Sequence, residues 1–241
     1  MSNILVFDTS SAWCSAALSV NGTLYAAAEM QPRKHAQLLM PMIDDLCQQA
    51  GIKPAEIDGI AFGKGPGSFT GLRIAVSVAQ GLSLATGAKL FGISSLQALA
   101  WQGMQQFGSS RIIAMMNAHM GEVFYAAYQR LNDSVIETVI DDALSKPEYV
   151  DLAAISSDLD ASVSWLGAGD GFQFEAELPA QVKQLAQIEQ NVFPLAESMM
   201  DLALVAWNNN EFTAPELQQP VYLRDTVAWK KLSEQPSLLK K

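Results

Sequence analysis

The chain has 241 residues, 49% hydrophobic and 17% charged, with a formal net charge of −10. That length holds one large or two small domains with a substantial core, and the acidic balance argues against nucleic-acid binding by the whole surface acting alone. The first residues, MSNILVFDTSS, lack a basic start and stop being apolar at Asp8, so neither a secretion signal nor a membrane span is expected and the protein is read as cytoplasmic.

Residues 3–8 read as a strand buried on both faces, because Ile4, Leu5, Val6 and Phe7 are consecutive apolar residues. Residues 14–20 follow as a second strand, and Asn21-Gly22 predicts a hairpin into a third at 23–29. Leu38, Leu39, Met42, Ile43, Leu46, Cys47 and Ala50 form one apolar stripe, which predicts a helix over 35–50 ended by Gly51. Pro41 either kinks it or marks where its regular part starts. A short helical turn is expected at 54–58 and a strand at 59–62.

The stretch GKGPGSFTGLR (63–73) holds four glycines and a proline in eleven residues. It turns a strand into the N-terminus of a helix that closes at Gly87, with Ser68 or Thr70 as the cap. Unpaired amides and the helix dipole make such a turn a candidate anion site. The spacing matches neither GxGxxG nor the phosphate loop ending in Gly-Lys-Ser/Thr, so a purely structural turn is the competing reading. The helix is apolar or small on nearly every side and needs two packing partners. A strand at 89–93 and a helix capped by Ser94 and Ser95, running to about 107, complete this half.

The pattern then restarts. Strands are expected at 111–116, 122–130 and 135–139, with turns at 117–121 and at Asn132-Asp133. Ser145 is expected to cap a helix with Pro147 in its first turn. A strand at 162–166 runs into a glycine-rich loop at 167–171, and a further helix covers 194–208. The tail starts strand-like at 220 and becomes basic through Arg224, Lys230, Lys231, Lys240 and Lys241. The chain is therefore α/β with two related βββαβα-type halves, residues 1–105 and 106–241, and helix 194–208 is a candidate to pack back on the first half. Cys14 and Cys47 are expected as core-filling thiols.

Two such halves, each opening with a strand and a polar turn, resemble the actin/Hsp70-like ATPase fold. The segments DTSSAWCSAAL (8–18), HAQLLMPMID (35–44), GKGPGSFTGLR (63–73), SSLQALA (94–100), GEVFYA (121–126) and PVYLRDTVAWKK (220–231) resemble the TsaB (YeaZ) family and span both halves and the tail. The resemblance implies an accessory subunit that supports TsaD, with TsaE, in transferring a threonylcarbamoyl group to adenosine 37 of tRNAs reading codons that begin with A. It implies a heterodimer with TsaD, a homodimer when alone, contact with tRNA only through the complex, and no membrane. The helices 35–50 and 69–86 would form the partner surface through Leu39, Met42, Ile43, Leu46, Leu72, Ala75, Val78, Ala79 and Leu82.

No catalytic residue or metal site of its own is expected. The two histidines, His35 and His119, are far apart in sequence and do not form the HxxxH pair that TsaD-like metal sites use, and no GxSxG elbow exists. No cofactor is expected either, beyond a nucleotide held weakly or only within the complex. For that nucleotide the candidates are Asp8, Thr9, Ser10, Gly67, Ser68, Arg73, Gly167 and Gly169. Asp8 stands where an actin-like fold holds hydrated magnesium. Asn117 stands in the second such place and, with His119, departs from the Asp-Ala-Arg usual in the family. An independent ATPase or kinase is the alternative, and a metallopeptidase a third. The basic tail is read either as a contact for tRNA or TsaE or as a solvated end.

Overall fold

The computed structural model describes residues 2–132, 135–160, 164–182, 185 and 187–224. The first half contains β1 (Ile4–Asp8), β2 (Trp13–Val20), β3 (Thr23–Met30), α1 (His35–Ala50), β4 (Gly59–Gly65), α2 (Phe69–Thr86), β5 (Lys89–Ser94) and α3 (Ser95–Phe107). The second contains β6 (Arg111–His119), β7 (Glu122–Arg130), β8 (Ile136–Ser145), α4 (Ser156–Asp160), β9 (Leu166–Ala168), β10 (Gln187–Glu189) and α5 (Ala196–Asn208).

The two halves repeat one topology. The first sheet runs β3-β2-β1-β4-β5 and the second β8-β7-β6-β9-β10. In each, the first three strands form an antiparallel meander and the last two add in parallel. Asn21 and Gly22 both take positive φ in the β2–β3 hairpin, as do Met120 and Gly121 between β6 and β7, the twist that two-residue hairpin loops require.

Alternation along β1 explains its unbroken apolar run. Leu5 and Phe7 enter a core shared with α1 and α2, while Ile4 and Val6 enter a core shared with α3, α5 and the second sheet. A third cluster, including Ile113, Tyr125 and Trp165, covers the outer face of the second sheet. The helices α3 and α5 therefore lie between the sheets. From the second half of the chain, α5 packs on β1 and β2. There the Ala196 amide donates to Ser15 Oγ at 3.0 Å and Trp207 Nε1 donates to Ser2 Oγ at 3.1 Å.

The departures from expectation fall mainly in the second half. No regular helix follows Ser145, which ends β8, and residues Pro147–Tyr149 form only a 3-10 turn. The strand expected at 162–166 lies at Leu166–Ala168, and residues 161–163 fall outside those described. The loop expected at 117–121 is shorter, because β6 continues to His119. The described start of the tail, 220–224, is not a strand, although the Val221 amide donates to Lys64 O at 2.7 Å. In α1, Pro41 is accommodated inside a continuous helix on its exposed side. Among the described residues no helix is long and apolar enough to cross a membrane.

Candidate functional site

The polar turn after β1 and the glycine loop after β4 are packed backbone against backbone. The Ser68 amide donates to Ser10 O at 2.8 Å, and Thr9 Oγ1 donates to Gly71 O at 2.7 Å. A Cβ placed on Gly67 would lie 2.5 Å from Ser10 O, and one on Gly71 would lie 1.9 Å from Thr9 O. The glycines thus make room for the β1 turn. Ser68 caps α2, its Oγ accepting from the Gly71 amide at 3.3 Å. Two amides of the loop that the sequence offered as an anion cradle, those of Ser68 and Gly71, are thus engaged within the chain itself.

Asp8 sits beneath this contact with no exposed surface. One carboxylate oxygen accepts from the Ser10 amide and hydroxyl, both at 2.9 Å, and the other has no partner among the described residues. A Cβ on Gly63 would fall 1.8 Å from that second oxygen. Burial pushes Asp8 up to about 7, against the two hydrogen bonds from Ser10 that lower it. The thiol of Cys14 is pushed up to about 12 by its own burial, then by Asp8 and Glu29. Asp8 and Thr9 thus have no exposed surface, and Ser10, 2% exposed, reaches only the edge of the cleft described below. Of the residues expected to meet a nucleotide, Ser10, Gly67 and Ser68 line the cleft, while Asp8 and Thr9 are fully buried.

Gly167 and Gly169 sit in tightly packed positions. Gly167 lies in β9 with the Phe172 ring where a Cβ would stand, 2.6 Å away. Gly169 takes φ 111, its amide donates to Glu189 O at 2.9 Å, and a Cβ there would meet Met115 O at 2.2 Å. Both allow close packing. Arg73 is exposed on the outer side of α2, with its guanidinium 3.9 Å from the Phe69 ring centroid and Nε donating to Tyr222 Oη at 3.3 Å.

A cleft of about 580 Å³ does open between the halves. One wall carries Ser11, Arg33, His35, Ser68 and Thr70; the other carries Asn117, His119 and Asp170. The fold thus brings both histidines of the chain to one cleft. Asp170 Oδ1 accepts from the Asn117 amide at 2.8 Å. Burial raises the Asp170 carboxyl, while the Asn117 amide and His119 act to lower it. Sequence reasoning missed Asp170, although an acid inside the glycine-rich run 167–171 was the signal. Among the described residues no group of three or more His, Cys, Asp or Glu side chains is arranged to hold a metal.

The expected partner residues are also redistributed. Leu39, Met42, Ile43, Leu46, Ala75 and Ala79 are buried in the core that α1 and α2 share with the first sheet, Leu72 is buried as well, and Val78 and Leu82 are half-buried. The apolar stripes cover the chain's own sheet, so a Glu at Ala75 or Ala79 would disrupt that core rather than only a surface. What α2 presents outward is a ridge at four-residue spacing, Arg73, Ser77, Gly81 and Ala85, beside the half-buried Ile74, Val78 and Leu82. Phe69 at 55% and Leu84 at 82% exposure flank it, and a groove of about 440 Å³ runs between α2 and Ala36 of α1.

The described part of the tail is tied down. Arg224 pairs with Glu122 and donates to Ala118 O at 3.1 Å. Lys230, Lys231, Lys240 and Lys241 lie outside the described residues.

Residues 28–232 match the family model described as TsaD: tRNA N6-adenosine threonylcarbamoyltransferase. The chain is 36% identical over 231 residues to the tRNA threonylcarbamoyladenosine biosynthesis protein TsaB of Escherichia coli, covering 95% of this chain and 97% of that one. It is 30% identical to the protein of the same description from Haemophilus influenzae, over 95% and 96% of the two chains. Among solved structures it is similar to YeaZ from Pseudomonas aeruginosa, with a TM-score of 0.85, 36% identity, and coverage of 92% of this chain and 100% of that one. A second Pseudomonas aeruginosa structure, of an uncharacterized protein with similarity to peptidase YeaZ, gives a TM-score of 0.86 at 37% identity, covering 93% and 100%.

Proposed function

The chain belongs to the TsaB (YeaZ) family, and from that premise we propose that it is a non-catalytic subunit in tRNA threonylcarbamoyladenosine biosynthesis. In this reading it binds TsaD, is joined by TsaE, and supports threonylcarbamoyl transfer to adenosine 37 of tRNA carried out by TsaD. It carries no cofactor of its own for that transfer and meets tRNA only through the complex.

The observation that carries the partner role is the outer face of α2. Ser77, Gly81 and Ala85 form a ridge of small side chains along which a second helix can approach closely, and Val78 and Leu82 offer apolar surface beside it. Phe69, Tyr222 and Arg73 make an aromatic and cationic corner at one end, the residue types that dominate interface energetics. Alone, the same face pairs two copies, because a surface suited to a related helix pair is close to self-complementary.

The absence of an own catalytic role is supported by the use already made of the polar groups after β1. Thr9 Oγ1 and Ser10 O hold the glycine loop in place, and Asp8 and Thr9 have no exposed surface.

Gly81→Lys tests the interface. A Cβ on Gly81 meets nothing within 4 Å, so the monomer keeps its fold, and its helix gains the roughly 0.5–1 kcal/mol that replacing glycine provides. Pairing with TsaD, measured by calorimetry or size, is expected to fall at least about ten-fold, because a long charged side chain then stands on the ridge. Unchanged pairing would remove α2 from the interface.

A further inference from the structure

An open sheet ends in two strands whose outer N–H and C=O groups have no ladder partner, and such edges join other chains unless they are blunted. The two sheets end in β3, β5, β8 and β10. On β5, Leu90 and Thr213 exchange backbone hydrogen bonds, each of 2.8 Å. The strand β10 has only three residues. The strand β8 is broken by two register shifts against β7 and carries Glu137, Asp141 and Asp142. Each of these edges is thus covered, short, or bent and charged.

The strand β3 has none of these devices. It runs for eight residues in unbroken register with β2. It holds no lysine, arginine or proline and a single charge, Glu29, in a chain of net charge −10. Leu24 and Met30, 44% and 60% exposed, stand near its two ends, with the exposed Ala26 and Ala28 between them. The register also says which backbone groups face away from β2. The Asn21-Gly22 loop closes on Val20 and Thr23, and the residues flanking such a two-residue loop exchange both hydrogen bonds. Bonded and non-bonded pairs then alternate. Thr23, Tyr25, Ala27 and Glu29 bond β2, while Leu24, Ala26, Ala28 and Met30 turn N–H and C=O outward. Among the described residues no other strand or loop hydrogen-bonds to that side of β3.

We propose that β3 pairs antiparallel with β3 of a second copy of this chain, joining the two first sheets edge to edge. The side chains fix the register. A two-fold axis at Ala27 sets Leu24 opposite Met30 of the second copy and Ala26 opposite its Ala28, so every outward donor meets an acceptor. Apolar Leu24 then lies beside apolar Met30, and Tyr25 lies across from Glu29, whose carboxylate accepts from the phenol; no like charges face each other. Any extended strand satisfies the hydrogen bonds, but the match of side chains along the whole strand favours a second copy. The axis runs perpendicular to the sheet, so α1 and α2 of both copies stay on one side and the α2 ridge remains free. The contact therefore adds to the pairing proposed with TsaD and does not depend on it.

The test uses the full chain. In Ala27→Cys the two introduced thiols face each other across the axis in a non-hydrogen-bonded pair, with Cα atoms about 4.5 Å apart, within disulfide reach. Cys14 and Cys47 are buried, so mild oxidation is expected to give a dimer linked through position 27, located by peptide mass spectrometry. Sedimentation is then measured in the Gly81→Lys background, which removes pairing through the α2 ridge. Gly81→Lys alone is expected to dimerise as its concentration rises. Adding Ala26→Lys with Ala28→Lys, both at exposed positions, sets lysines opposite each other and should weaken the dimer at least about ten-fold. Adding Ala26→Glu with Ala28→Glu instead should do the same, and mixing the two variants should restore the dimer. The proposal is overturned if oxidation gives no link at position 27, if Gly81→Lys stays monomeric at every concentration, if the lysine variant dimerises as its parent does, or if the mixture stays monomeric. The α2 reading fails by a different result, unchanged pairing of Gly81→Lys with TsaD.

Discussion

At the scale of single residues, glycine and aspartate carry opposite lessons about the loop at 63–73. Gly71 is a contact residue by virtue of having no side chain, since a Cβ there would stand 1.9 Å from Thr9 O. Gly71→Ala is expected to destabilise the chain by about 3 kcal/mol, at the upper end for overpacking because the obstructing atom is backbone; urea denaturation would measure it. Asp8 contributes through its titration. Its folded-state value, about 7, stands above the ordinary 3.8, so the folded chain binds a proton that the unfolded chain releases. The stability this group contributes is full below about pH 3.8, falls as pH rises toward 7, and stays low above it. Asp8→Asn cannot ionise, so the difference in unfolding free energy, variant minus parent, should grow in the variant's favour between pH 4 and pH 7, by a few kcal/mol at most, as urea denaturation at each pH would measure. A flat difference would mean that Asp8 does not titrate in that window.

At the scale of elements, the first half was largely readable from sequence because its local signals agree. The apolar period, the closing Gly51 and Gly87, and the Ser68 and Ser94 caps all point to helices where helices are found. The second half was less readable. Its strands β9 and β10 have three residues each and exist by pairing in parallel with neighbours, which no periodicity reveals. Ser145 looked like a cap yet ends a strand, since β8 pairs with β7 as far as Val123 opposite Ser145. The stripes on α1 and α2 were read correctly as apolar, but their destination was not. Periodicity finds a face to be buried and does not say whether the chain's own sheet or another protein buries it. The candidate cleft was hidden for a related reason: Arg33, His35, His119 and Asp170 converge only through the sheet order. Ser94 shows how one residue can join elements. It caps α3, accepting from the Gln97 amide at 3.3 Å, and donates to Asp142 Oδ2 in β8 at 2.6 Å, while Tyr128 donates to Asp142 Oδ1 at 2.7 Å. Ser94→Ala removes the cap and one of the two bonds to a largely buried carboxylate. The expected cost is roughly 2 kcal/mol, and faster hydrogen exchange should appear at both the start of α3 and β8. Exchange confined to α3 would reduce Ser94 to its capping role.

At the scale of the whole molecule, two copies of one sheet topology have diverged in use. The first sheet carries long helices on its outer side, and α2 keeps an exposed ridge of small residues, the surface proposed above for a partner. The second carries short helical turns there, around Ile155, Leu178 and Val182. The acidic chain, at −10, is poorly suited to hold tRNA by itself, which agrees with a subunit that reaches tRNA through the complex. In the proposed role this protein is needed for threonylcarbamoyl transfer without performing it. The most direct measurement is reconstituted modification of tRNA by TsaD and TsaE, with this chain, without it, and with its Gly81→Lys variant. Full modification is expected only with the parent chain, and a strong reduction with Gly81→Lys. Full modification by TsaD and TsaE alone, or transfer sustained by this chain in the absence of TsaD, would contradict it.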